Sequence, residues 1–269
     1  MITKVGFMLE QFIEKLELGN VKCIILTGNF MRLLQRLDGS ARENLNLLLD
    51  IFSQKYLTTS YNQQRDFFDR GGGGTLAIQT FNWDFCKSLS YDILNSKSQT
   101  GALGNIALKR SEFKRTKHPI YSFAVAGKFQ DELIGLENKG AFDSSSPFDF
   151  MYKKNAKMII IDLPLQDSFT FVHYVEQCFN VDYRHNKSFK SYYIDEKGVK
   201  KVATYDMFVR NDGVLTDINP LENIFLEKQV MQLDFFDDIC IKKIDLKKAF
   251  EIIAKDIKEN KGRNLYRKL

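Results

Sequence analysis

The sequence predicts an α/β fold, with a central mixed sheet flanked by helices and an antiparallel β-rich insertion in the C-terminal half. Short, mainly apolar runs at residues 21–26 and 158–163, each containing one charged residue (Lys22 and Asp162), are typical of buried strands, and residues with helical spacing follow each of them. After Val181 the pattern changes to alternating segments separated by turns. We therefore expect one domain over residues 1–269, with the insertion at about 181–218 and a C-terminal helix at about 244–260.

The N-terminal elements follow from the spacing of apolar residues. Residues 3–17 have helical spacing and end at Gly19-Asn20, which is a stop signal. Residues 30–37 and 41–52 return to helical spacing after the strand at 21–26, which gives a βα unit. Residues 101–117 are predicted to form a short helix with a basic end, and residues 118–127 alternate as a strand.

The C-terminal half begins with the buried strand at 158–163, and a helix is expected directly after it. In the insertion, alternating residues flank Gly198, and Asn211-Asp-Gly213 is a hairpin signal. Residues 221–232 and 246–258 are then predicted to be helical, the second of them charged on all but one face.

Composition excludes several classes of protein. No apolar run approaches the 18 or so residues of a membrane span, and an acid at Glu10 argues against a secretory signal, so we expect a cytoplasmic protein without membrane insertion. The four cysteines are far apart and form no CxxC pair, and there are three histidines, so we predict no metal site. A net charge of +5 is too small to imply a nucleic-acid partner.

The most informative segment is Asp167-Ser-Phe-Thr-Phe-Val-His-Tyr-Val-Glu-Gln177, which spaces Thr170, His173 and Glu176 three residues apart. On a helix these side chains lie on adjacent turns, and Glu176 falls at the edge of the apolar sector. A carboxylate there needs a hydrogen bond, and His173 is its nearest partner. One interpretation is a carboxylate that orients an imidazole base, and the other is a solvated surface pair.

Five segments between residues 20 and 235 resemble, in the same order, motifs of the aminoglycoside 3-N-acetyltransferase family, also called the antibiotic N-acetyltransferase family. The segments are Gly74-Thr-Leu with Thr80-Phe-Asn-Trp-Asp-Phe85, Arg115-Thr-Lys-His-Pro-Ile-Tyr-Ser122 with Ala124 and Gly127, residues 142–147, Thr170-Phe-Val-His-Tyr-Val-Glu176 and Tyr183-Arg-His-Asn-Lys-Ser-Phe189. The family patterns that they are similar to are GTL…PTFTWDF, RS-x-HP-x-x-S-x-A-x-x-G, FG-x-x-SP, T-x-x-H-x-x-E and PYR-x-x-K-x-F.

The resemblance implies that an acetyl group is transferred from acetyl-CoA, as cosubstrate, to an amine of a sugar-like acceptor. His173 would then be the general base and Glu176 its orienting partner, because an ammonium group cannot attack a thioester until it loses a proton. Thr170 is the candidate for contact with the oxyanion or the acceptor. Cys178, on the same helix, is expected to be a packing residue and not a nucleophile.

The resemblance also suggests six residues that bind CoA, namely Thr27, Asn29, Thr80, Arg115, His118 and Ser122. Thr27 and Asn29 align with the family's HSSL turn, from which the chain departs at Thr27-Gly28. The basic run at 109–117 is a candidate for holding the CoA phosphates or is a solvated face. His118, which precedes a proline, is alternatively a structural histidine.

The acceptor is predicted from charge. Aminoglycosides are polycations, whereas the chain is basic and its 143–149 loop offers two carboxylates. We therefore expect a small-molecule amino sugar linked to a nucleotide and used in surface polysaccharide biosynthesis. One alternative is an aminoglycoside acceptor, which would give antibiotic resistance, and another is an inactive CoA-binding or scaffold protein. A homodimer is left open.

Overall fold

Helices and strands are interspersed along the chain. The structure, a computed structural model, describes residues 3–57 and 73–269. The helices in this part are α1 (Lys4–Lys15), α2 (Met31–Leu34), α3 (Ala41–Phe52), α4 (Ala102–Ala107), α5 (Gln130–Ile134), α6 (Pro147–Lys153), α7 (Leu165–Ser168), α8 (Phe171–Cys178), α9 (Asn219–Glu227) and α10 (Leu246–Asn260). The strands are β1 (Cys23–Gly28), β2 (Thr75–Gln79), β3 (Tyr91–Asp92), β4 (Lys114–Arg115), β5 (Phe123–Gly127), β6 (Lys157–Ile161), β7 (Arg184–Ile194), β8 (Lys200–Arg210), β9 (Val214–Thr216), β10 (Met231–Phe236), β11 (Ile239–Asp245) and β12 (Tyr266–Lys268).

The largest sheet has seven strands in the order β10-β11-β6-β1-β2-β5-β4. Its central strands β6, β1 and β2 are parallel, and the strands outside them are antiparallel to their neighbours. Because parallel strands end at the same edge, the carboxyl ends of β1, β2 and β6 open together. The predicted mixed sheet with flanking helices is confirmed.

Both faces of the central sheet are covered. Alternate residues of β1 pack into two different clusters of buried side chains, with Cys23 and Ile25 in one and Ile24 and Leu26 in the other. The four side chains have no exposed surface. Burial on two faces explains why β1 is a continuous apolar run in the sequence.

The segment at 181–218 contains β7, β8 and β9. Strands β7 and β8 form a long antiparallel hairpin, and β3 adds to it in parallel. The hairpin turn lies at 195–199, where Gly198 has a φ of 76°. The prediction of a hairpin at Asn211-Asp-Gly213 is wrong: this turn leads into β9, whose partner is β12 and not β8.

Three other element predictions need correction. The helix predicted over 221–232 ends at Glu227, and the chain then forms the β10–β11 hairpin, which extends the central sheet. The helix predicted over 101–117 ends at Ala107, and its basic end contains β4. The strand predicted from residue 118 begins at Phe123, because His118 Nδ1 accepts the backbone N–H groups of Ile120 and Tyr121 and bends the chain before it.

Candidate active site

His173 and Glu176 form a close pair on α8. The distance between His173 Nδ1 and Glu176 Oε2 is 2.6 Å. Glu176 has no exposed surface, whereas the His173 side chain is 19% exposed. If Nδ1 donates its proton to the carboxylate, Nε2 is an unprotonated acceptor, which is the form that a general base requires.

Arg184, the first residue of β7, forms an ion pair with Glu176. Its Nε lies 2.7 Å from Glu176 Oε2, the same oxygen that meets His173. Its Nη1 donates to the Phe208 carbonyl at 3.2 Å and its Nη2 donates to Thr216 Oγ1 at 2.7 Å. The guanidinium therefore ties α8 to β8 and β9 and compensates a buried carboxylate, which is costly when unpaired.

The pKa values follow from this arrangement. Burial lowers the pKa of His173, and the positive charge of Arg184 lowers it further. The hydrogen bond and the charge of Glu176 raise this pKa, but the net shift is downward. Burial alone would raise the pKa of Glu176, but the hydrogen bond from His173 and the charge of Arg184 outweigh burial and lower it. At neutral pH the His173 imidazole is therefore neutral and is hydrogen-bonded to the ionised carboxylate of Glu176.

Neighbouring side chains fix α8. Tyr174 donates to Asp149 Oδ1 on α6 at 2.9 Å, and the ring of His173 packs edge-on against Phe142 with centroids 5.8 Å apart. The predicted continuous helix is broken at Phe169, which is buried and separates α7 from α8. Thr170 therefore precedes α8 as its half-buried N-cap residue, without a capping bond from its side chain.

His173 lines a cleft of about 690 Å³ that β7 and β8 bound on one side. Tyr121 and Phe189 contribute rings to its wall. Its charged lining consists of Arg184, Lys187, Arg210 and Asp212, with His185 beside them. The cleft is thus more basic than acidic.

Thr27 and Asn29 line a second cleft, of about 530 Å³, at the carboxyl ends of β1, β2 and β6. Asn29 is exposed and its Oδ1 accepts the N–H of Met31 at 3.0 Å. Gln79, at the end of β2, is 5% exposed and its Nε2 has no hydrogen-bond partner among the described residues. A Cβ at Gly28 would lie 2.6 Å from the Cβ of Ile161, which explains why this turn carries a glycine.

Thr80, Arg115 and Ser122 meet in a buried cluster outside that cleft lining. Arg115 donates through Nε to Ser122 Oγ at 2.9 Å and through Nη2 to the Thr80 carbonyl at 2.6 Å, and its guanidinium lies 5.0 Å from the centre of the Tyr91 ring. Thr80 Oγ1 and Ser122 Oγ are 3.0 Å apart. Because these polar groups bond one another, the cluster joins β2, β4 and the start of β5 instead of presenting donors to a ligand.

His118 is fully buried, and burial lowers its pKa to about 4. Its Nδ1 accepts the N–H of Tyr121 at 3.1 Å. The contacts match the alternative of a structural histidine, which shapes the loop before β5.

An aromatic pair separates the two clefts. Trp83 lines the cleft at the strand ends, Tyr121 lines the cleft of His173, and their rings meet edge to face with centroids 6.4 Å apart. The linings of the two clefts therefore touch at these two rings.

The basic run at 109–117 does not reach either cleft. Arg110 bonds Asp50 at 2.6 Å, Lys117 pairs with Glu137, and Lys114 and Lys117 line a different groove. As a holder of CoA phosphates this run stays a prediction. Within the described ranges, no three His, Cys, Asp or Glu side chains are grouped so that they could hold a metal ion, and no helix is both long and apolar enough to cross a membrane.

Sequence reasoning assigned no role to Arg184 and Gln79. Arg184 lies in the Tyr183-Arg motif quoted above, so its presence in that motif was a signal. The sequence did not show that Arg184 contacts Glu176, eight residues earlier. The contact forms because β7 begins beside α8. Gln79 carries no such signal.

Both a protein-family model and several solved structures are similar to this chain. The family model described as aminoglycoside 3-N-acetyltransferase matches residues 31–257. A search of curated proteins finds no match.

Three solved structures share the fold. Aminoglycoside acetyltransferase AAC(3)-Xa aligns with a TM-score of 0.73 and 13% identity, covering 94% of this chain and 92% of its own. Sisomicin-bound AAC-VIa aligns with a TM-score of 0.71 and 14% identity, covering 95% of this chain and 98% of its own. AAC-IIIb in a binary complex with CoASH aligns with a TM-score of 0.71 and 12% identity, covering 95% of this chain and 96% of its own. With the family model matching most of its length, the chain belongs to the aminoglycoside 3-N-acetyltransferase family of acetyl-CoA-dependent N-acetyltransferases.

Proposed function

We propose that the protein acetylates an amine of an amino-sugar acceptor, with His173 as general base and Glu176 as the residue that orients it. The observation that carries this proposal is the buried Glu176 carboxylate, 2.6 Å from His173 Nδ1 in a helix that faces a cleft. Because Nδ1 is engaged, Nε2 is the nitrogen that can accept a proton from the acceptor.

The acetyl transfer then involves two proton transfers at His173. The amine nitrogen of the acceptor forms a bond to the carbonyl carbon of the acetyl thioester, and its proton passes to His173 Nε2. The carbon–sulfur bond breaks, and the protonated imidazole returns a proton to the CoA thiolate. Glu176 stabilises the imidazolium that forms between the two proton transfers. Thr170 remains a prediction for contact with the thioester oxygen, supported by its position at the start of α8.

For CoA we propose the cleft at the carboxyl ends of β1, β2 and β6. Thr27 and Asn29 supply polar groups there, and Gln79 Nε2 is a buried donor without a partner among the described residues, which suits an extended molecule with amide groups. Thr80, Arg115, His118 and Ser122 would support the wall of this region instead of touching CoA. The similar AAC-IIIb forms a binary complex with CoASH, which supports CoA as the ligand of this chain.

The comparisons favour an aminoglycoside over the nucleotide-linked amino sugar that the sequence suggested. One similar structure holds sisomicin, and neither the family match nor the neighbours support a role in polysaccharide biosynthesis. Aminoglycosides and simpler amino sugars both offer the amine that His173 would deprotonate.

We expect acetyl-CoA to be converted to free CoA thiol only when an amino-sugar acceptor is present. The measurement is thiol release with sisomicin, kanamycin and D-glucosamine, with mass spectrometry of the acceptor to detect one added acetyl group. A chain that binds acetyl-CoA in a calorimeter, yet adds acetyl to no amine in a broad panel, would contradict the proposal and favour the inactive homologue.

The pKa of His173 should lie below its ordinary value of 6.5, because the neutral form is favoured by burial and by Arg184. Histidine NMR titration measures it directly. The unfolded chain then binds a proton that the folded chain does not, so the free energy of unfolding should fall as the pH falls below 6.5. His173→Gln should weaken this dependence in urea unfolding curves. A measured pKa of His173 at or above 6.5 would contradict an imidazole that is buried and faces Arg184.

A further inference from the structure

We infer that two copies of this chain pair through the free edge of β10, so that the seven-stranded sheet of one copy continues into that of the other. The two β10 strands run antiparallel around a two-fold axis, which closes the assembly at a dimer. A dimer of this kind is independent of the proposed function, because β10 contributes no residue to the cleft of His173 or to the proposed CoA cleft.

The first support is the direction of the backbone groups of β10. This strand is the last of its sheet, and no described strand lies beyond it. The N–H of Asp245 donates to the carbonyl of Val230 at 3.0 Å, directly before the ladder of β10 and β11 begins at Met231. Because the bonding direction alternates along an antiparallel ladder, the even-numbered residues of β10 bond β11. The N–H and C=O groups of Met231, Leu233 and Phe235 therefore point to the free edge.

The second support is the apolar character of this edge. Leu233 is 38% exposed and Phe235 is 51% exposed. The strand contains no Pro, Lys or Arg. Its one acid, Asp234, is paired with Lys15 at 2.9 Å and with Lys243 at 3.0 Å. A six-residue edge that has exposed apolar side chains and no unpaired charge is a template for another strand.

Two other outer strands carry the protection that β10 lacks. β4, at the opposite end of the same sheet, has two residues, and both are basic. β8, an outer strand of the three-stranded sheet, begins with Lys200 and Lys201, and the backbone of Asp206 in its middle bonds Lys139 and Ala141. Short strands, lysines and covering segments all block pairing between edges. The edge of β10 has none of these among the described residues.

The third support is that the sequence of β10 is complementary to itself in one register. With the two-fold axis at Leu233, this leucine meets its own counterpart, and Phe235 meets Met231 of the other copy. On the other face of the strands, Asp234 meets the side-chain amide of Gln232, which already bonds this carboxylate within one chain at 3.1 Å. A register centred on Asp234 instead would set two carboxylates directly opposite each other, which is destabilising. The axis at Leu233 is therefore the favoured one.

Sedimentation velocity over a range of protein concentrations tests this pairing. We expect the wild-type chain to reach twice its monomer mass of 31.3 kDa as the concentration rises. Leu233→Lys should raise the dissociation constant of the dimer at least about tenfold, because it removes two apolar contacts and sets two ammonium groups opposite each other. Val202→Lys is the matched control, since Val202 is 54% exposed on β8, and it should leave the constant unchanged. Circular dichroism would establish that both variants are folded.

Cysteine cross-linking tests the register. Leu233→Cys should give a disulfide-linked dimer under mild oxidation, because residues that face each other across an antiparallel pair lie within bridging distance. Asp234→Cys, at the next position, should not, since its counterpart in the other copy is not opposite to it. The wild-type chain, whose native cysteines are free, supplies the background.

A dimer that Leu233→Lys weakens, that Val202→Lys leaves intact and that Leu233→Cys cross-links supports the inference. A chain that stays monomeric at every concentration overturns it, whether or not a strand of another protein adds to the edge. A dimer that Leu233→Lys leaves intact forms through another surface and overturns it as well. A dimer that Leu233→Lys weakens but that cross-links only through Asp234→Cys supports the edge and overturns the register.

Discussion

His173→Ala should lower kcat about 100-fold to 10,000-fold while the protein stays folded, because the acceptor amine then loses its proton to water instead of to a positioned base. Circular dichroism and thermal unfolding would establish that the fold is kept. The KM for acetyl-CoA should change little, since His173 is separated from the proposed CoA cleft by the Trp83–Tyr121 pair.

Cys178→Ala is the matched control for this variant. Cys178 lies on the same helix and is exposed, so the expectation that it is a packing residue is wrong. Partial desolvation still raises the pKa of its thiol, which keeps the thiol protonated at neutral pH. We therefore expect full activity after its removal. The reverse pattern, with an active His173→Ala and an inactive Cys178→Ala, would point to a thiol nucleophile and exclude the imidazole base.

Arg184→Leu should lower the free energy of unfolding by about 3–5 kcal/mol, because it leaves the Glu176 carboxylate buried without its cation. Urea unfolding measures the loss. Activity should fall as well, since a destabilised carboxylate no longer orients His173. Arg184→Lys keeps the charge but loses the fork that donates to Phe208 and Thr216, so an intermediate loss is expected.

Arg210→Leu is the control for stability. Arg210 is the same residue type at the opposite position of the ladder, but it is exposed and has no ion pair among the described residues. A change within about 0.5 kcal/mol is expected for such a surface position. Equal losses from the two leucine variants would show that the Glu176 contact adds nothing to stability.

The sequence predicted correctly those features that depend on the residue spacing within a single helix or strand. Helical spacing put Glu176 toward the apolar side, and the carboxylate is indeed buried with His173 as its hydrogen-bond partner. The apolar run at 158–163 predicted a strand buried on both faces, and alternate residues of β6 do pack into the two different clusters of buried side chains. In both cases local periodicity carries the information.

The sequence did not predict those features that depend on contacts between segments far apart in the chain. Arg115 looks like a phosphate ligand in isolation, but contacts with Thr80 and Ser122 commit its guanidinium to the interior. The β10–β11 hairpin was missed because residues 221–232 keep helical spacing beyond Glu227, and pairing with β6 overrides that preference. Side-chain direction and strand partners are tertiary facts that spacing does not encode.

The short ladder between β9 and β12 has a consequence for the order in which the protein folds. Thr216 pairs with Tyr266 in this ladder and accepts from Arg184, which in turn holds Glu176. Pairings between residues far apart in sequence form slowly, because the intervening loop must close first. During synthesis, α8 emerges long before residue 266 does. We therefore expect the ladder that supports Thr216, the partner of Arg184, to be one of the last parts of this site to form.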